Sequence, residues 1–169
     1  MRVVFLGLVA AAALASTGIS AVARQSDHSL AQFQCQGTRP NHVVPLGAGF
    51  SRAGFNYGNA RLRAHISWKN GWLRAGTLPD GGSYATINPD GSIRMKQGWW
   101  RGLPATLAVT GRRLDAQAPP LRADIRGGYG ELGFIPIAVI IPTVGCWRVT
   151  GKLGSAQLTY VVKVTKLQS

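Results

Sequence analysis

The sequence predicts an all-β protein, an antiparallel β-sandwich preceded by a cleavable signal peptide. The clearest evidence is residues 142–164, where β-branched and aromatic residues alternate with polar ones in two stretches, as in a pair of half-buried strands. Two Pro-Asp-Gly turns, at residues 79–81 and 89–91, lie about ten residues apart, which is typical of a sandwich or barrel. After the N-terminal apolar run, no stretch has the three-and-four spacing of an amphipathic helix.

The N-terminus has the three parts of a secretory signal peptide, which we assign to residues 1–23. Arg2 is the positive start, residues 3–15 form an apolar run, and residues 21–23 (Ala-Val-Ala) form a cleavage site. Crossing a membrane takes about 20 apolar residues, so a single-pass anchor or a buried first helix is the less favoured alternative. No cysteine follows closely enough for a lipoprotein anchor. We expect an exported protein, periplasmic or secreted, with no transmembrane anchor after cleavage.

Cleavage removes 23 of the 169 residues and leaves enough chain for one domain with a substantial core. Residues 24–55 are predicted to be an N-terminal extended segment and residues 56–169 the sandwich. The chain has 19 Lys and Arg against 6 Asp and Glu, a net charge of +13. Such a charge attracts polyanions at low salt, so an anionic cell-envelope polymer is one candidate partner and an envelope protein another. The alternative is a basic exported protein with no specific partner, and no specific nucleic-acid partner is predicted.

Several stretches before the last hairpin alternate apolar and polar residues and are predicted to be strands. The best of them, residues 60–68, places Leu62 and other alternate apolar residues on one face and a basic face opposite. Residues 132–141 are apolar on both faces and predict a central strand. Proline donates no ladder hydrogen bond, so we expect a bulge or an edge at Pro136. The other predicted strands cover residues 72–77, 82–87, 92–99, 105–112 and 121–125.

In the last hairpin, the turn is assigned to residues 151–155 (Gly-Lys-Leu-Gly-Ser). Cys146 is expected on the outer face or at the strand mouth, because neighbours on a strand face opposite ways. Cys146 and Cys35 are the only cysteines, and in an oxidising compartment we expect them to form a disulfide that pins the N-terminal segment across the sheet. Two free thiols are the alternative, and no metal site is predicted. The predicted inner face carries Trp147, Val149, Leu158, Tyr160 and Val162.

The most unusual local cluster is residues 98–102, Gly-Trp-Trp-Arg-Gly. Adjacent tryptophans on a strand face opposite ways, so one is expected on the core and the other at an edge or exposed. One interpretation is a stacking platform that, with Arg94 and Lys96 nearby, holds a sugar ring or an anionic polymer. The favoured alternative is that both rings cap the end of the sandwich. On the first interpretation, the candidate ligand contacts are Trp99, Trp100, Arg101, Arg61 and Arg63.

No catalytic constellation is visible, and no cofactor is predicted, because phosphate-loop and dinucleotide motifs are missing from the sequence. The three histidines are isolated from one another. Asp124 and Glu131 flank a glycine-rich loop around Tyr129. A small hydrolase built on this loop needs a concave pocket with two of these side chains about 5 to 10 Å apart.

Seven short pieces of the sequence carry a resemblance: residues 57–59 (YGN), 89–96 (PDGSIRMK), 99–102 (WWRG), 111–116 (GRRLDA), 118–123 (APPLRA), 128–130 (GYG) and 142–151 (PTVGCWRVTG). As a set they resemble a family of uncharacterised exported bacterial proteins with an immunoglobulin-like fold. The resemblance covers about residues 57 to 164 and implies an immunoglobulin-like sandwich and an envelope location, but no activity. The sequence departs from the pattern of this family at Arg148, because an acidic residue is more usual there, directly after the tryptophan.

These features favour a non-enzymatic exported module that binds a polyanionic or glycan ligand. They also allow a structural subunit that pairs through an exposed sheet edge. The alternative is a small envelope hydrolase or inhibitor that uses the loop around Tyr129. Fold alone does not choose between these functions.

Overall fold

The computed structural model describes residues 33–42, 55–66, 71–77 and 85–167, which belong to one compact unit, Gln32–Ser169. The predicted signal peptide and the first Pro-Asp-Gly turn lie outside the described residues. Over those residues the protein is all-β, as predicted, and has no helix. The ten strands of the described part are β1 Phe55–Gly58, β2 Leu62–Ile66, β3 Trp72–Ala75, β4 Ala85–Ile87, β5 Ile93–Arg101, β6 Leu107–Arg113, β7 Arg122–Ile125, β8 Gly133–Ile141, β9 Gly145–Leu153 and β10 Ala156–Lys166.

The strands form two sheets that pack their apolar faces together as a β-sandwich. The first sheet has the order β1-β2-β5-β8-β7, and β4 pairs with the part of the β5 edge that β2 leaves open. The second sheet has the order β3-β10-β9-β6. The prediction of antiparallel sheets holds for every pair except β3 and β10, which run parallel.

The core forms because alternate side chains of each strand point inward. In β5, Ile93 and Trp99 are fully buried, whereas Lys96 between them in the chain is exposed. Polar side chains also lie in the interior, among them Gln97 and Tyr160. Gln97 donates a hydrogen bond from Nε2 to the Tyr160 hydroxyl oxygen at 2.7 Å, and burial raises the pKa of that hydroxyl. This bond offsets part of the cost of removing both groups from water.

The last hairpin is confirmed, including the inner face of β9 and β10, but its turn is shorter than predicted. β9 continues to Leu153, and a two-residue turn, Gly154-Ser155, leads into β10. Gly154 has a φ of 53°, which suits the tight hairpin turns that match strand twist. The prediction that Gly151 belongs to the turn is wrong. It is a strand residue, and a Cβ there would lie 2.3 Å from Cζ3 of Trp99.

The predicted disulfide between Cys35 and Cys146 is confirmed, with the two Cα atoms 5.6 Å apart. Cys146 lies on the opposite face of β9 from the inward tryptophan, yet only 1% of it is exposed. The disulfide joins it to the segment 33–42, which lies along β10 at this place. Thr38 fixes the segment, because its amide donates to the Val161 carbonyl at 2.9 Å and its hydroxyl accepts from the Val161 amide at 2.8 Å.

Residues 56–59, Asn-Tyr-Gly-Asn, have the composition of a turn, which predicts a turn here, but the first three of them belong to strand β1. Asn56 and Tyr57 are buried strand residues. The carbonyl of Asn56 accepts a hydrogen bond from the amide of Asn41 at 2.8 Å, and the Tyr57 hydroxyl donates to the carbonyl of Thr38 at 3.0 Å. Burial raises the pKa of Tyr57 to about 12. The N-terminal segment thus supplies contacts that the local sequence does not display.

Pro136 lies in β8, which is a central strand as predicted. Its pairing with β5 is continuous from Ile93 opposite Ile141 to Arg101 opposite Gly133, so no bulge interrupts this ladder. β7 pairs only with residues 137–140 of β8. The proline therefore stands just past the end of β7, where β8 is locally an edge, and the missing donor costs no hydrogen bond to that neighbour.

Candidate functional site

The five predicted ligand contacts do not form one surface. Trp99 and Arg63 are 0% exposed and Arg101 is 6% exposed, whereas Trp100 is half-buried and Arg61 is exposed. As predicted for adjacent tryptophans, one ring points into the core and the other points away from it. The ring of Trp99 lies wholly in the core and has no surface for a ligand to contact.

Arg63 and Trp100 are cross-strand partners on the outer face of the first sheet. The guanidinium carbon of Arg63 lies 6.0 Å from the centre of the Trp100 ring, at the outer limit of a cation–π contact. Burial lowers the pKa of Arg63. On the same strand, His65 is hydrogen-bonded to Oδ1 of Asn56 at 3.0 Å, and its pKa is lowered by burial and by the charge of Arg63.

Arg61 lies elsewhere, close to the turn of the last hairpin. Its Nη2 donates to the hydroxyl of Ser155 at 3.2 Å. Both groups are exposed, so this contact links the hairpin turn to the start of β2 without contributing to a recessed site.

A groove does form on the outer face of the first sheet, at the other end of β5. The register places Ala138 of β8 between Lys96 of β5 and Asp124 of β7, so a small residue forms the floor between two charged ones. The groove has a volume of about 450 Å³. We call it the outer groove, and its lining residues are Ala85, Thr86, Arg94, Lys96, Asp124, Arg126, Tyr129, Pro136, Ile137 and Ala138.

The charges around the outer groove are unbalanced. Arg94, Lys96 and Arg126 face a single carboxylate, Asp124. Asp124 lies 3.9 Å from Nη2 of Arg94 and 3.9 Å from Nε of Arg126, so one anion is shared between two cations at the limit of an ion pair. Tyr129 adds a ring that is 44% exposed. The groove therefore offers positive charge and one aromatic surface.

A second recess lies beyond the glycine-rich loop, at the end of the sandwich, with a volume of about 430 Å³. We call it the end cavity. Arg101, at the end of β5, lines it and donates from Nη2 to the carbonyl of Tyr129 at 2.9 Å. Glu131 and Arg126 line it too, together with Pro104, Ala105, Thr106, Leu107, Ile125, Gly127, Gly128, Tyr129, Gly130 and Ile135.

The two carboxylates beside the loop do not meet at one cavity. Asp124 lines the outer groove and Glu131 lines the end cavity, while Tyr129 and Arg126 line both. Within the described ranges, no group of three or more His, Cys, Asp or Glu side chains could hold a metal ion.

In the part of the chain that the structure describes, no helix is long and apolar enough to cross a bilayer.

The sequence singled out only part of these two recesses. Arg94 and Lys96 were predicted to lie near a ligand, and Tyr129 was predicted in the alternative site on the loop. Arg126 was missed because it follows the end of β7 and belongs to no local pattern. A usable signal existed for Arg101, since it lies an even number of residues after inward-facing Ile93 and therefore points inward.

Comparisons of the chain with models of known protein families, with curated proteins and with solved structures found no match. The resemblance to exported bacterial proteins therefore stays a prediction.

Proposed function

We propose that this chain is a non-enzymatic, exported binding module that holds a segment of an acidic glycan in the outer groove. The observation that carries this proposal is the set of three cations, Arg94, Lys96 and Arg126, around an open groove that contains one carboxylate. Exposed cations in a groove attract anionic chains over distances of about a Debye length. The module recognises its ligand by charge first and by shape second.

An acidic glycan fits the groove better than a simple polyanion because of Tyr129 and the floor. The ring of Tyr129 is 44% exposed and lines the groove, so it can stack on a sugar face. Pro136 and Ala138 form a floor without long side chains, which leaves room for a ring to lie flat. Carboxylate or sulfate groups on the sugars would then reach the guanidinium groups at the rim.

Export is supported by the disulfide. Cys35 and Cys146 are bonded and Cys146 is buried, as is typical of proteins that fold in an oxidising compartment. The predicted signal peptide supports the same location.

An immunoglobulin-like type of sandwich is supported by the strand order. The sequence β2-β5-β8-β7 in one sheet and β6-β9-β10 in the other corresponds to the ABED and CFG sheets of that fold. Such sandwiches commonly serve as binding modules, although the fold by itself assigns no ligand.

A small hydrolase or inhibitor is the competing function. A two-carboxylate hydrolase needs both carboxylates at one cavity, and Asp124 and Glu131 line different ones. A hydrolase that uses Tyr129 with one carboxylate fits either cavity, and release of shortened products is the measurement that would reveal it. A structural subunit that pairs through a sheet edge is the other competitor. A subunit of this kind would form dimers or larger species in size-exclusion chromatography, whereas the binding module needs no self-association.

The test measures binding of an oligouronate, with a neutral glucose oligomer of equal length as the comparison ligand. The groove variant carries Arg94→Gln, Lys96→Gln and Arg126→Gln. Three exposed charges at about 0.5 kcal/mol each predict about a tenfold loss of oligouronate affinity. Rising salt should weaken the wild-type complex.

The matched control removes the same charge from the outer face of the second sheet, by Arg112→Gln, Arg148→Gln and Lys152→Gln, all at exposed positions. We expect it to keep most of the affinity. Equal losses of oligouronate affinity in both variants would show that net charge attracts the ligand without a specific site. Equal affinity for the neutral oligomer, or release of shortened products during incubation, would also overturn the proposal.

A further inference from the structure

Arg101 is a charged residue in an unusual place. It ends β5 on the inward-facing side of the strand and is 6% exposed, so the sandwich encloses most of its side chain. Removing a cation from water is costly unless an anion or a full set of hydrogen bonds compensates it. The compensation found in the protein is small.

The guanidinium has one hydrogen bond, from Nη2 to the Tyr129 carbonyl at 2.9 Å. Its Nε is buried and has no hydrogen-bond partner. No carboxylate among the described residues forms an ion pair with it, although Glu131 lines the same cavity. Arg101 therefore keeps unpaired donors beside a recess of about 430 Å³.

The loop that lines this recess turns beside the guanidinium through two glycines. Gly128 and Gly130 have φ values of 91° and 64°, in the left-handed region that glycine adopts readily. Between them, the carbonyl of Tyr129 is turned onto Arg101. The hydrogen bond thus orients the guanidinium and leaves its other donors for a ligand.

We infer that the end cavity is a second binding site, which takes one small oxyanion, a carboxylate or a phosphate group, on the guanidinium of Arg101. Guanidinium groups bind such anions by paired, charge-assisted hydrogen bonds. Arg126 at the rim adds a second positive charge, and Glu131 opposes the anion by like-charge repulsion. The inference does not rest on an acidic glycan in the outer groove, since Arg94 and Lys96 play no part in it.

The experiment titrates the full-length exported protein with inorganic phosphate and, separately, with acetate, at constant ionic strength set with chloride. The readout is the amide nitrogen–proton NMR spectrum, together with the Nε–H signal of Arg101. We expect a saturable shift of the loop amides 127–130 and of that Nε–H with at least one anion. The anion that binds more tightly identifies the ligand group, as phosphate if it is inorganic phosphate and as carboxylate if it is acetate.

Three variants test the assignment. Arg101→Gln should abolish the saturable shift, and Arg61→Gln, which removes one exposed charge elsewhere, should leave it unchanged. Glu131→Gln should tighten binding about threefold by removing the opposing charge. Because Glu131 is exposed, we expect Glu131→Gln to fold, so its anion affinity tests the inference even if Arg101→Gln does not fold.

The inference is overturned where the wild type shows no saturable shift with either anion. It is also overturned where Glu131→Gln weakens binding or Arg61→Gln removes it. Replacing Arg94 and Lys96 should leave the phosphate and acetate titrations unchanged, so failure of the outer-groove proposal and failure of this one are separate results.

Discussion

Replacing Gly151 by alanine tests how closely the two sheets pack around Trp99. A Cβ at this position would lie 2.3 Å from Cζ3 and 2.4 Å from Cη2 of the Trp99 ring. Both distances are far inside ordinary van der Waals contact, and the ring is fully buried between the sheets. The added methyl group therefore has to displace a rigid indole or the β9 backbone.

Overpacking of this kind costs about 1 to 3 kcal/mol, and a distance this short places Gly151→Ala in the upper part of that range. Alanine in place of glycine also restricts the unfolded chain, which raises the free energy of unfolding by about 0.4 to 1 kcal/mol. The expected net loss in the free energy of unfolding is about 2 kcal/mol, measured by urea unfolding followed by tryptophan fluorescence.

Gly127→Ala is the matched control, because a Cβ at residue 127 would meet nothing within 4 Å. Its stability should stay within about 0.5 kcal/mol of the wild type. Replacing Trp99 by leucine should remove most of the cost of Gly151→Ala, which a double-mutant cycle measures as a favourable coupling. A Gly151→Ala protein as stable as the control would refute the packing described for β5 and β9.

Three further outcomes follow from the described contacts. Serine at both Cys35 and Cys146 removes a cross-link over 111 residues and should lower the free energy of unfolding by about 4 to 5 kcal/mol on the chain-entropy account. Arg148→Glu places an opposite charge directly across from Arg112 and should raise stability by about 0.2 to 1 kcal/mol at low salt. His65 has a lowered pKa, so the unfolded chain takes up its proton first, and the melting temperature should fall as the pH drops below 6.5.

Each of these outcomes has a clear contrary result. Unchanged urea midpoints after loss of the disulfide would mean that the segment 33–42 is held by its other contacts alone. A melting temperature lowered by Arg148→Glu would contradict the β6–β9 register. A His65→Gln variant with the same acid sensitivity as the wild type would assign that sensitivity to other groups.

The strands of the second half could be predicted because their residues alternate strictly. In β10, branched and aromatic side chains recur at every second position over residues 158–164, and a shift of one residue would turn them all outward. The disulfide could be predicted because two cysteines leave one pairing. β1 could not, since Asn56 and Tyr57 become strand residues by pairing with β2, and Asn41 and Thr38 of the distant N-terminal segment hydrogen-bond to them.

The candidate site was harder to predict, for a physical reason. Trp99, Trp100 and Arg101 are neighbours in the chain, but a strand sends neighbours to opposite faces, so chain proximity does not make a surface. The outer groove instead joins side chains from β4, β5, β7 and β8 with the loop that follows β7. Arg126 and Lys96 are brought together by the register of three strands, which local sequence patterns do not contain.

Mapping the oligouronate contact by NMR is the most direct measurement of the proposed recognition. Adding the oligomer should shift the amides of β5, β7 and β8 that bear outward-facing side chains, together with the ring protons of Tyr129, and should leave the exposed face of β6, β9 and β10 unaffected. Shifts spread evenly over both basic faces, or confined to the second sheet, would contradict the assignment of the ligand to the outer groove.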